Sequence, residues 1–252
     1  MTADLYLFAH PDDEFGVCGT LEAGCRGGRR AICAYLTDGG ADHRLRDRRA
    51  QESRRVLRRL GVADADIHFP GIDEHFADGA LHRAAAPALR AVERLIAAAG
   101  PLGAVYLPAW EGGHQDHDCA HAIGLLAGTR AGAKSRVRQF SLYHGAGLRG
   151  RWFRVMTPLP ANGLVEVLRL TVEQRLRYAA LCLSYPSQWR SWIGLFPFAA
   201  KRLLIDGWQG LQPVRMARLF QRPHEGALLY ERRTEVRFGE VSAALAEVLG
   251  PG

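Results

Sequence analysis

The sequence predicts an α/β fold: a single doubly wound, mostly parallel, Rossmann-like sheet flanked by helices, with a less regular C-terminal cap. In the first half of the chain, short apolar segments alternate with amphipathic or alanine-rich segments. This strand–helix alternation is typical of a right-handed parallel sheet. The 252 residues suit one such domain with a full core. We therefore expect one domain over residues 1–252, with its α/β core at about 1–145 and the cap at about 146–252.

The predicted elements follow from the periodicity of apolar residues. Strands are predicted near residues 4–9, 30–37, 66–69, 104–107 and 138–143, and helices near 17–27, 43–60, 82–99 and 117–130. In the cap, Leu228–Tyr230 predicts a late strand and Val241–Leu249 a closing helix. The aromatic segment Ser184–Phe198 fits two interpretations: packing beneath a loop cap, or an exposed rim that grips a sugar, a partner subunit or a lipid tail.

The composition is ordinary for a globular enzyme, with 48% hydrophobic and 23% charged residues. The chain begins with strand-like sequence, and neither a secretory signal nor an apolar run long enough for a membrane span is visible. The cysteines are odd in number and lack CxxC spacing, which favours a reducing cytoplasm. They are Cys18, Cys25, Cys33, Cys119 and Cys182. We expect a cytoplasmic protein, and a homo-oligomer is compatible with the sequence.

The formal net charge of +7 results from 33 basic and 26 acidic residues. The arginine-rich run 44–59 raises the possibility of nucleic-acid binding. However, Ala50, Val56 and Leu57 lie at helical spacing within it, which predicts a helix whose arginines, with Glu52 between them, form a solvated face. No nucleic-acid-binding motif accompanies the run, so no nucleic-acid partner is expected. The positive charge still favours an anionic substrate.

The first polar cluster is His10-Pro11-Asp12-Asp13-Glu14, directly after the apolar segment 5–8. Burying this much charge beside a core strand costs free energy unless the charges are paired. Pro11 restricts the backbone of His10 and gives the turn a defined shape. A divalent metal would pair with one imidazole and one or two carboxylates, whereas the alternative is a satisfied polar turn or an acidic helix N-terminus.

The second cluster is Trp110–Asp118, which follows the apolar strand 105–107 and contains His114, Asp116 and His117. In a parallel sheet both clusters would open at the carboxyl edge of the strands, where ligands bind. His10, Asp13 and His117 would then supply three metal ligands and leave a fourth position open. That arrangement is typical of a catalytic zinc site.

Together the two clusters resemble the PIG-L/LmbE family of metal-dependent de-N-acetylases. The resemblance extends over about residues 3–190 and includes Thr37-Asp38-Gly39-Gly40, the helix from Arg49 to Gly61, and Ser187-Gln188. Two positions depart from it. Gln115 stands where many relatives have proline, and Gly112 stands where some have a tyrosine near the substrate.

The resemblance implies an LmbE-like fold and hydrolysis of an N-acetyl group from an N-acetylglucosamine-type substrate. Zn²⁺, or alternatively Fe²⁺, would be held by His10, Asp13 and His117. Asp12 would act as the general base, and His114, as a cation or a donor, would stabilise the oxyanion. Either Asp12 or His114 would return the proton to the leaving amine.

The remaining assignments concern supporting residues. Asp116 would orient a histidine ring or, alternatively, cap the helix predicted to begin near residue 117. Glu14 would have a structural role in the turn. By resemblance, Arg49 and Asp73 are substrate contacts. His121 lies at helical spacing from His117 but is expected to be a core or surface residue, and His144 is a candidate for the rim of the site.

Two other functions are compatible with parts of this pattern. Two histidines and one carboxylate are also the ligand set of non-haem iron oxygenases. The spacing of the first motif and the α/β alternation argue against that enzyme class. A non-enzymatic basic binding module is the second alternative, and the presence of Asp12 beside the ligands argues against it.

Overall fold

The computed structural model describes residues 2–40 and 42–249. The strands are β1 (Ala3–Phe8), β2 (Arg30–Tyr35), β3 (Ile67–His68), β4 (Leu102–Pro108), β5 (Val137–Phe140), β6 (Tyr143–His144), β7 (Arg154–Val155), β8 (Glu166–Arg169) and β9 (Trp208–Pro213). The helices are α1 (Cys18–Arg26), α2 (His43–Arg59), α3 (Pro70–Asp73), α4 (Ala85–Ala99), α5 (Gln115–Arg130), α6 (Val172–Leu181), α7 (Trp189–Ala200), α8 (Leu229–Arg233) and α9 (Phe238–Leu249). Short 3₁₀ turns include Asp13–Gly16 and Leu81–Ala84, and a π-helical turn spans Lys201–Asp206.

The central sheet has the strand order β3-β2-β1-β4-β5-β9-β8. The first five of these strands pair in parallel, whereas β9 pairs antiparallel with both β5 and β8. This confirms the predicted mostly parallel α/β sheet and shows that the second half of the chain extends it. The strands β6 and β7 form a separate antiparallel pair.

Helices cover both faces of the sheet because the side chains of each buried strand alternate between the faces. Leu5 and Leu7 of β1 belong to the apolar cluster that includes residues of α4, α5 and α9. Tyr6 and Phe8 belong to the opposite cluster, with residues of α1, α2 and α7. The helices therefore cover the two faces of the sheet, whereas the carboxyl ends of the parallel strands remain available for a site. No helix in the described ranges combines the length and apolar character needed to cross a membrane.

Helix α5 is buried along almost its whole length. It packs tightly against β4 at Gly124, where an added Cβ would lie 2.3 Å from Leu107 Cδ2. Because this contact needs a residue without a side chain, Gly124 sets the close approach of α5 to the sheet. The N-terminal turn of α5 is thereby held beside the carboxyl end of β1.

The prediction that the arginine-rich face of α2 is solvated is partly wrong. Arg49, Glu52 and Ser53 are buried, together with the expected apolar positions. The Glu52 carboxylate accepts a hydrogen bond from the Ser187 backbone N–H at 3.1 Å, and the Ser187 hydroxyl also donates to it. A buried carboxylate needs such donors, so this pair joins α2 to the segment that precedes α7.

The C-terminal cap differs from the prediction in two places. Leu228–Tyr230 is not a strand: it lies at the start of α8, where the Glu231 carboxylate accepts from the Leu228 N–H at 2.8 Å. A short apolar run does not distinguish a strand from a buried helical turn. The aromatic segment 189–198 forms α7 rather than a loop. The predicted closing helix is present as α9.

Candidate active site

The candidate site lies where the strand order of the sheet reverses. From β1 the chain proceeds through β2 to β3 in one direction, whereas β4 and β5 lie on the other side of β1. Ligands of open α/β sheets bind at such a switch point, outside the carboxyl ends of the strands. The segment after β1 carries His10–Asp13, and the segment after β4, which ends in the first turn of α5, carries His114–His117. The fold therefore brings the two polar clusters together.

The two loops open onto a cavity of about 320 Å³. Its wall includes groups from both halves of the chain: His10, Asp12, Asp13, Phe15, Arg49, Asp78, His114, His117, Tyr143, Gln188, Ser191, Leu195 and Arg233. A volume near this value is at the lower end of the range for small-molecule sites. The cavity is thus suited to a compact polar ligand.

The backbone after β1 is shaped around the Asp13 carboxylate. Asp13 Oδ2 accepts hydrogen bonds from the backbone N–H groups of Ala9 at 3.0 Å and His10 at 2.8 Å. In the turn between His10 and Asp13, Asp12 adopts a φ of 120°, a strained value for a residue with a side chain. The Glu14 carboxylate stabilises this turn by accepting from the Asp12 N–H at 3.1 Å. The second Asp13 oxygen is left facing the cavity.

His10, Asp13 and His117 form a compact set of buried donor atoms. His117 Nε2 lies 3.1 Å from Asp13 Oδ1 and 3.2 Å from His10 Nδ1, and His10 Nδ1 lies 3.7 Å from Asp13 Oδ2. A tetrahedral ion with ligand bonds of about 2.0–2.1 Å has ligands about 3.3 Å apart. The donor types and their separations therefore fit a divalent metal, with room in the cavity for a further ligand.

The other nitrogen of His10 is held by carboxylates. His10 Nε2 lies 3.2 Å from Asp116 Oδ2 and 3.2 Å from Asp78 Oδ1. Burial disfavours a charged imidazole, but Asp78, Asp116 and Asp13 together raise the pKa of His10 well above its usual range. This negative environment would stabilise a metal cation as it stabilises a proton. Carboxylates that accept from the far nitrogen of a ligating histidine fix the orientation of its ring.

A second set of donor groups lies on the other side of His10. His10, Asp78, His114 and Asp116 are also close enough to surround an ion. However, Asp116 already accepts from the Gly79 N–H at 2.6 Å and the Leu81 N–H at 3.0 Å. His114 Nδ1 accepts from the Asp116 N–H at 3.2 Å. These commitments favour His10, Asp13 and His117 as the ligand set.

The hydrogen bond that His114 accepts bears on two predictions: Asp116 as a helix cap and His114 as a cation. Helix α5 begins at Gln115, and its N-cap is His114, so the helix-cap interpretation of Asp116 is wrong. Burial and the nearby His10 lower the pKa of His114 to about 4. A neutral His114 that accepts at Nδ1 carries its proton on Nε2. The geometry therefore favours a neutral N–H donor over a cation at this position.

Asp12 and Arg49 are neighbours in the wall of the cavity. An Arg49 Nη atom lies 3.5 Å from Asp12 Oδ1, and the guanidinium also donates to the carbonyls of Gly39 at 2.6 Å and Pro11 at 3.1 Å. Burial raises the pKa of Asp12 to about 7, against the lowering effect of Arg49. A carboxyl group with a pKa near neutrality is suited to accept and return a proton.

The two predicted substrate contacts separate in the structure. Arg49 lines the cavity, although it donates to Asp78 and Asp12 as well as to backbone. Asp73 does not line it: it ends the short helix α3 and faces a different cavity, with Glu74 and Arg94. The prediction for Asp73 is therefore corrected, and Asp78, five residues further on, takes the position next to His10.

Tyr143 is a cavity residue that the sequence analysis did not predict. Its ring lies edge-on to the His117 ring, with centroids 5.3 Å apart. Burial raises its pKa, which keeps the hydroxyl protonated and able to donate. Gly112, where some relatives have tyrosine, has a φ of +68°, and a Cβ there would lie 2.7 Å from Leu228 Cδ2. A tyrosine therefore enters the site from β6 while position 112 excludes a side chain.

His121 and His144 lie outside the site cavity. His121 is buried, and its Nδ1 lies 2.8 Å from the Pro108 carbonyl oxygen. His144 Nε2 lies 2.8 Å from the Thr157 carbonyl oxygen. His144 is a core residue, so its predicted place on the rim is wrong.

The aromatic helix α7 has both buried and exposed side chains. Trp192 is buried, whereas Trp189 and Ile193 are exposed. Ser191 and Leu195 line the site cavity. The segment is thus a helical wall of the site with an exposed apolar outer side.

The fold and site define this chain as a doubly wound α/β protein with a candidate hydrolytic metal centre. Residues 5–127 match the family model described as PIG-L, GlcNAc-PI de-N-acetylase. The matched segment contains both polar clusters and makes up slightly less than half of the chain, so this part of the chain is similar to that family. No match was found among curated proteins.

Several solved structures share the fold. The A40926 pseudoaglycone deacetylase is 21% identical, with 85% of this chain and 97% of that chain covered and a TM-score of 0.62. A deacetylase from the teicoplanin biosynthesis pathway is 16% identical, with 85% and 98% covered and a TM-score of 0.65. The N,N'-diacetylchitobiose deacetylase of Pyrococcus horikoshii is 16% identical, with 84% and 83% covered and a TM-score of 0.53.

Proposed function

We propose that this protein is a metal-dependent amide hydrolase that removes the N-acetyl group from an N-acetylglucosamine-type amino sugar and releases acetate. The observation that carries the proposal is the buried set His10, Asp13 and His117, with the Asp12 carboxyl group, which belongs to neither donor set, in the same cavity. The match of residues 5–127 to the model of a de-N-acetylase family supports the same reaction. The solved deacetylases with this fold are consistent with it.

In this proposal His10, Asp13 and His117 hold one divalent ion, Zn²⁺ or Fe²⁺. When bound, the ion supplies Lewis acidity and lowers the pKa of a coordinated water. Asp116 and Asp78 keep the His10 ring oriented through its far nitrogen. One of the solved teicoplanin deacetylases is described as a zinc-inhibited form. For this chain, the metal that is bound and the metal that gives activity should therefore be measured separately.

Asp12 is the proposed general base. Its carboxyl group lines the cavity and makes no contact that commits it to the ligand set. It would take the proton from the attacking water and, once protonated, return it to the nitrogen of the leaving amine. Arg49, anchored on the backbone of Pro11 and Gly39, would keep Asp12 in position. The C–N bond breaks as acetate and the free amino sugar form.

The developing oxyanion needs donors that are already in place. His114 supplies Nε2–H, since its Nδ1 accepts from the α5 backbone. Tyr143 supplies a protonated hydroxyl from the adjoining wall. Because His114 acts here as a donor and not as a cation, Asp12 is the better candidate for the general acid.

The test is an acetate-release screen on the metal-loaded enzyme. Substrates would be N-acetylglucosamine in free, nucleotide-linked, lipid-linked and thiol-conjugated forms, assayed with and without oxygen. We expect about one equivalent of metal per chain and anaerobic release of acetate from at least one form, as a de-N-acetylase requires. Oxygen consumption without acetate would support the oxygenase alternative. Binding without turnover in the zinc and iron forms alike would overturn the proposal.

The free cysteines give separate support to the proposed location. All five are unpaired in the structure, and Cys18, Cys33, Cys119 and Cys182 are buried. We propose a cytoplasmic location, since a reducing compartment preserves free thiols.

A further inference from the structure

One wall of the site cavity carries a cation that the proposed reaction does not use. Arg233 is the last residue of α8 and lines the cavity together with Tyr143. It lies outside the segment that matches the family model, which ends at residue 127. Its position is therefore a property of this chain's C-terminal region.

The Arg233 guanidinium is positioned by groups that leave its charge unneutralised. One Nη donates to the Arg151 carbonyl oxygen at 3.0 Å, and the guanidinium carbon lies 4.7 Å from the centre of the Phe153 ring. Among the ion pairs of residues 2–40 and 42–249, Arg233 has no carboxylate partner. By contrast, Arg49 in the same cavity pairs with Asp12 and Asp78.

This environment favours an anionic ligand. The Arg233 side chain remains exposed to solvent at the cavity wall. Partial burial lowers its pKa, and the nearby Arg151 acts in the same direction. A cation at a cavity wall that has no carboxylate partner and lies near a second arginine attracts an oxyanion, and the resulting hydrogen bond is charge-assisted. Arginine has several N–H donors in a planar arrangement that matches phosphate and carboxylate oxygens. The Arg233 N–H groups that do not donate to Arg151 are free for such a ligand.

The cavity brings this cation within reach of the ligand that the metal cluster would hold. Arg233, His117 and Asp12 line the same space of about 320 Å³. That volume suits one sugar ring with a substituent. A ligand whose acetamido group faces Asp12 would therefore place another part of the molecule on the Arg233 wall.

We infer that Arg233 binds an anionic substituent of the substrate, so that the preferred substrate is an N-acetylated amino sugar bearing a phosphate or a carboxylate. This inference rests on the proposed function, which supplies the amino sugar as the substrate. The anionic substituent is inferred from the position of Arg233 in the cavity wall. The two oxyanions share the same recognition chemistry, and the experiment separates them.

The test compares binding of charged and neutral sugars to the metal-loaded enzyme by calorimetry. The probes are N-acetylglucosamine, its 1-phosphate, its 6-phosphate, and N-acetylmuramic acid as the carboxylate. We expect at least one anionic probe to bind about 10- to 100-fold more tightly than the neutral sugar, as expected for a charge-assisted hydrogen bond. Arg233→Gln should reduce that ratio towards one, and Arg233→Lys should restore part of it.

Arg149→Gln is the matched control, because it removes the same charge from an exposed residue outside the cavity wall. It should keep the wild-type ratio. Thermal unfolding of each variant separates a lost anion site from a lost fold. Equal binding of neutral and anionic probes by the wild type, an unchanged ratio in folded Arg233→Gln, or no binding of any anionic probe overturns the inference.

Acetate release measured in parallel distinguishes this inference from the proposed function. If the Arg233-dependent preference is present but no probe is hydrolysed, the anion site stands and the proposed function fails. If acetate is released without any preference for charge, the proposed function stands and the anion site is overturned.

Discussion

The Asp12 carboxylate and the Arg49 guanidinium lie 3.5 Å apart, although 37 residues separate them in the chain. Arg49 also donates to the carbonyls of Pro11 and Gly39. It thus joins the loop after β1 to the loop after β2 and supports the strained backbone of Asp12. The proposed base is held on a rigid turn without being bound as a ligand.

Replacing Asp12 should therefore separate metal binding from catalysis. For Asp12→Asn we expect the wild-type metal content and a loss of kcat of about 10²- to 10⁴-fold, the range typical of a general acid–base group. Metal analysis and acetate release on the same sample check this. Asp73→Asn is the control, since Asp73 lies at another cavity. Full activity of Asp12→Asn would refute the assignment of the base.

The second prediction concerns which of the two overlapping donor sets around His10 binds the metal. Asp13→Asn should lose most of the bound metal, because Asp13 Oδ1 lies 3.1 Å from His117 Nε2 within the proposed ligand set. Asp78→Asn removes a contact with the far nitrogen of His10, and should weaken metal affinity by about 10- to 100-fold, as for other groups that orient a ligand.

Competition with a chelator, followed by metal analysis, measures both affinities. The opposite order, in which Asp78→Asn loses the metal and Asp13→Asn retains it, would place the ion in the set that contains His114 and Asp116. Thermal unfolding of both variants without metal provides the control for folding.

Tyr143→Phe tests the proposed oxyanion donor. The variant keeps the ring that contacts His117 and removes only the hydroxyl. We expect unchanged metal content and a fall in kcat of about 10²- to 10³-fold, the cost typical of removing one oxyanion donor. Steady-state kinetics give kcat and KM separately. An effect confined to KM would instead indicate that the hydroxyl binds the ground-state substrate.

The part of the site that could be predicted from sequence comes from contiguous motifs at strand ends. His10–Asp13 and His114–His117 each follow an apolar strand, and the sheet places β1 beside β4. Local pattern and topology together therefore indicate that the clusters meet. The mostly parallel sheet could be predicted for the same reason, because the alternation of strands and helices is visible in the first half of the chain.

The rest depends on single residues that tertiary packing brings in. Asp78 contacts His10 from the loop before α4. Tyr143 of β6 and Arg233 at the end of α8 line the cavity. None of the three stands in a motif that marks its role. The helix at Leu228–Tyr230 was predicted as a strand because three apolar residues carry no periodicity, and the buried face of α2 was obscured by its many arginines.

The buried His121 makes the stability of this fold sensitive to acid. Burial lowers its pKa to about 4 in the folded protein, compared with about 6.5 when unfolded. The unfolded chain therefore binds a proton more readily between these values. The contribution to stability is fully present above about pH 6.5 and is lost as the pH falls towards 4. Between pH 7 and pH 5 this group alone should account for roughly 2 kcal/mol of the free energy of unfolding.

His121→Asn should remove this contribution while keeping an N–H that donates to the Pro108 carbonyl oxygen. We expect the variant to be less stable at pH 7, because the smaller side chain leaves a cavity beside Trp110. Its stability should, however, fall less between pH 7 and pH 5 than that of the wild type. Urea unfolding at both pH values, after metal removal, measures the difference. The exposed His43→Asn should follow the wild type, and equal acid sensitivity of His121→Asn and wild type would show that His121 is not the titrating group.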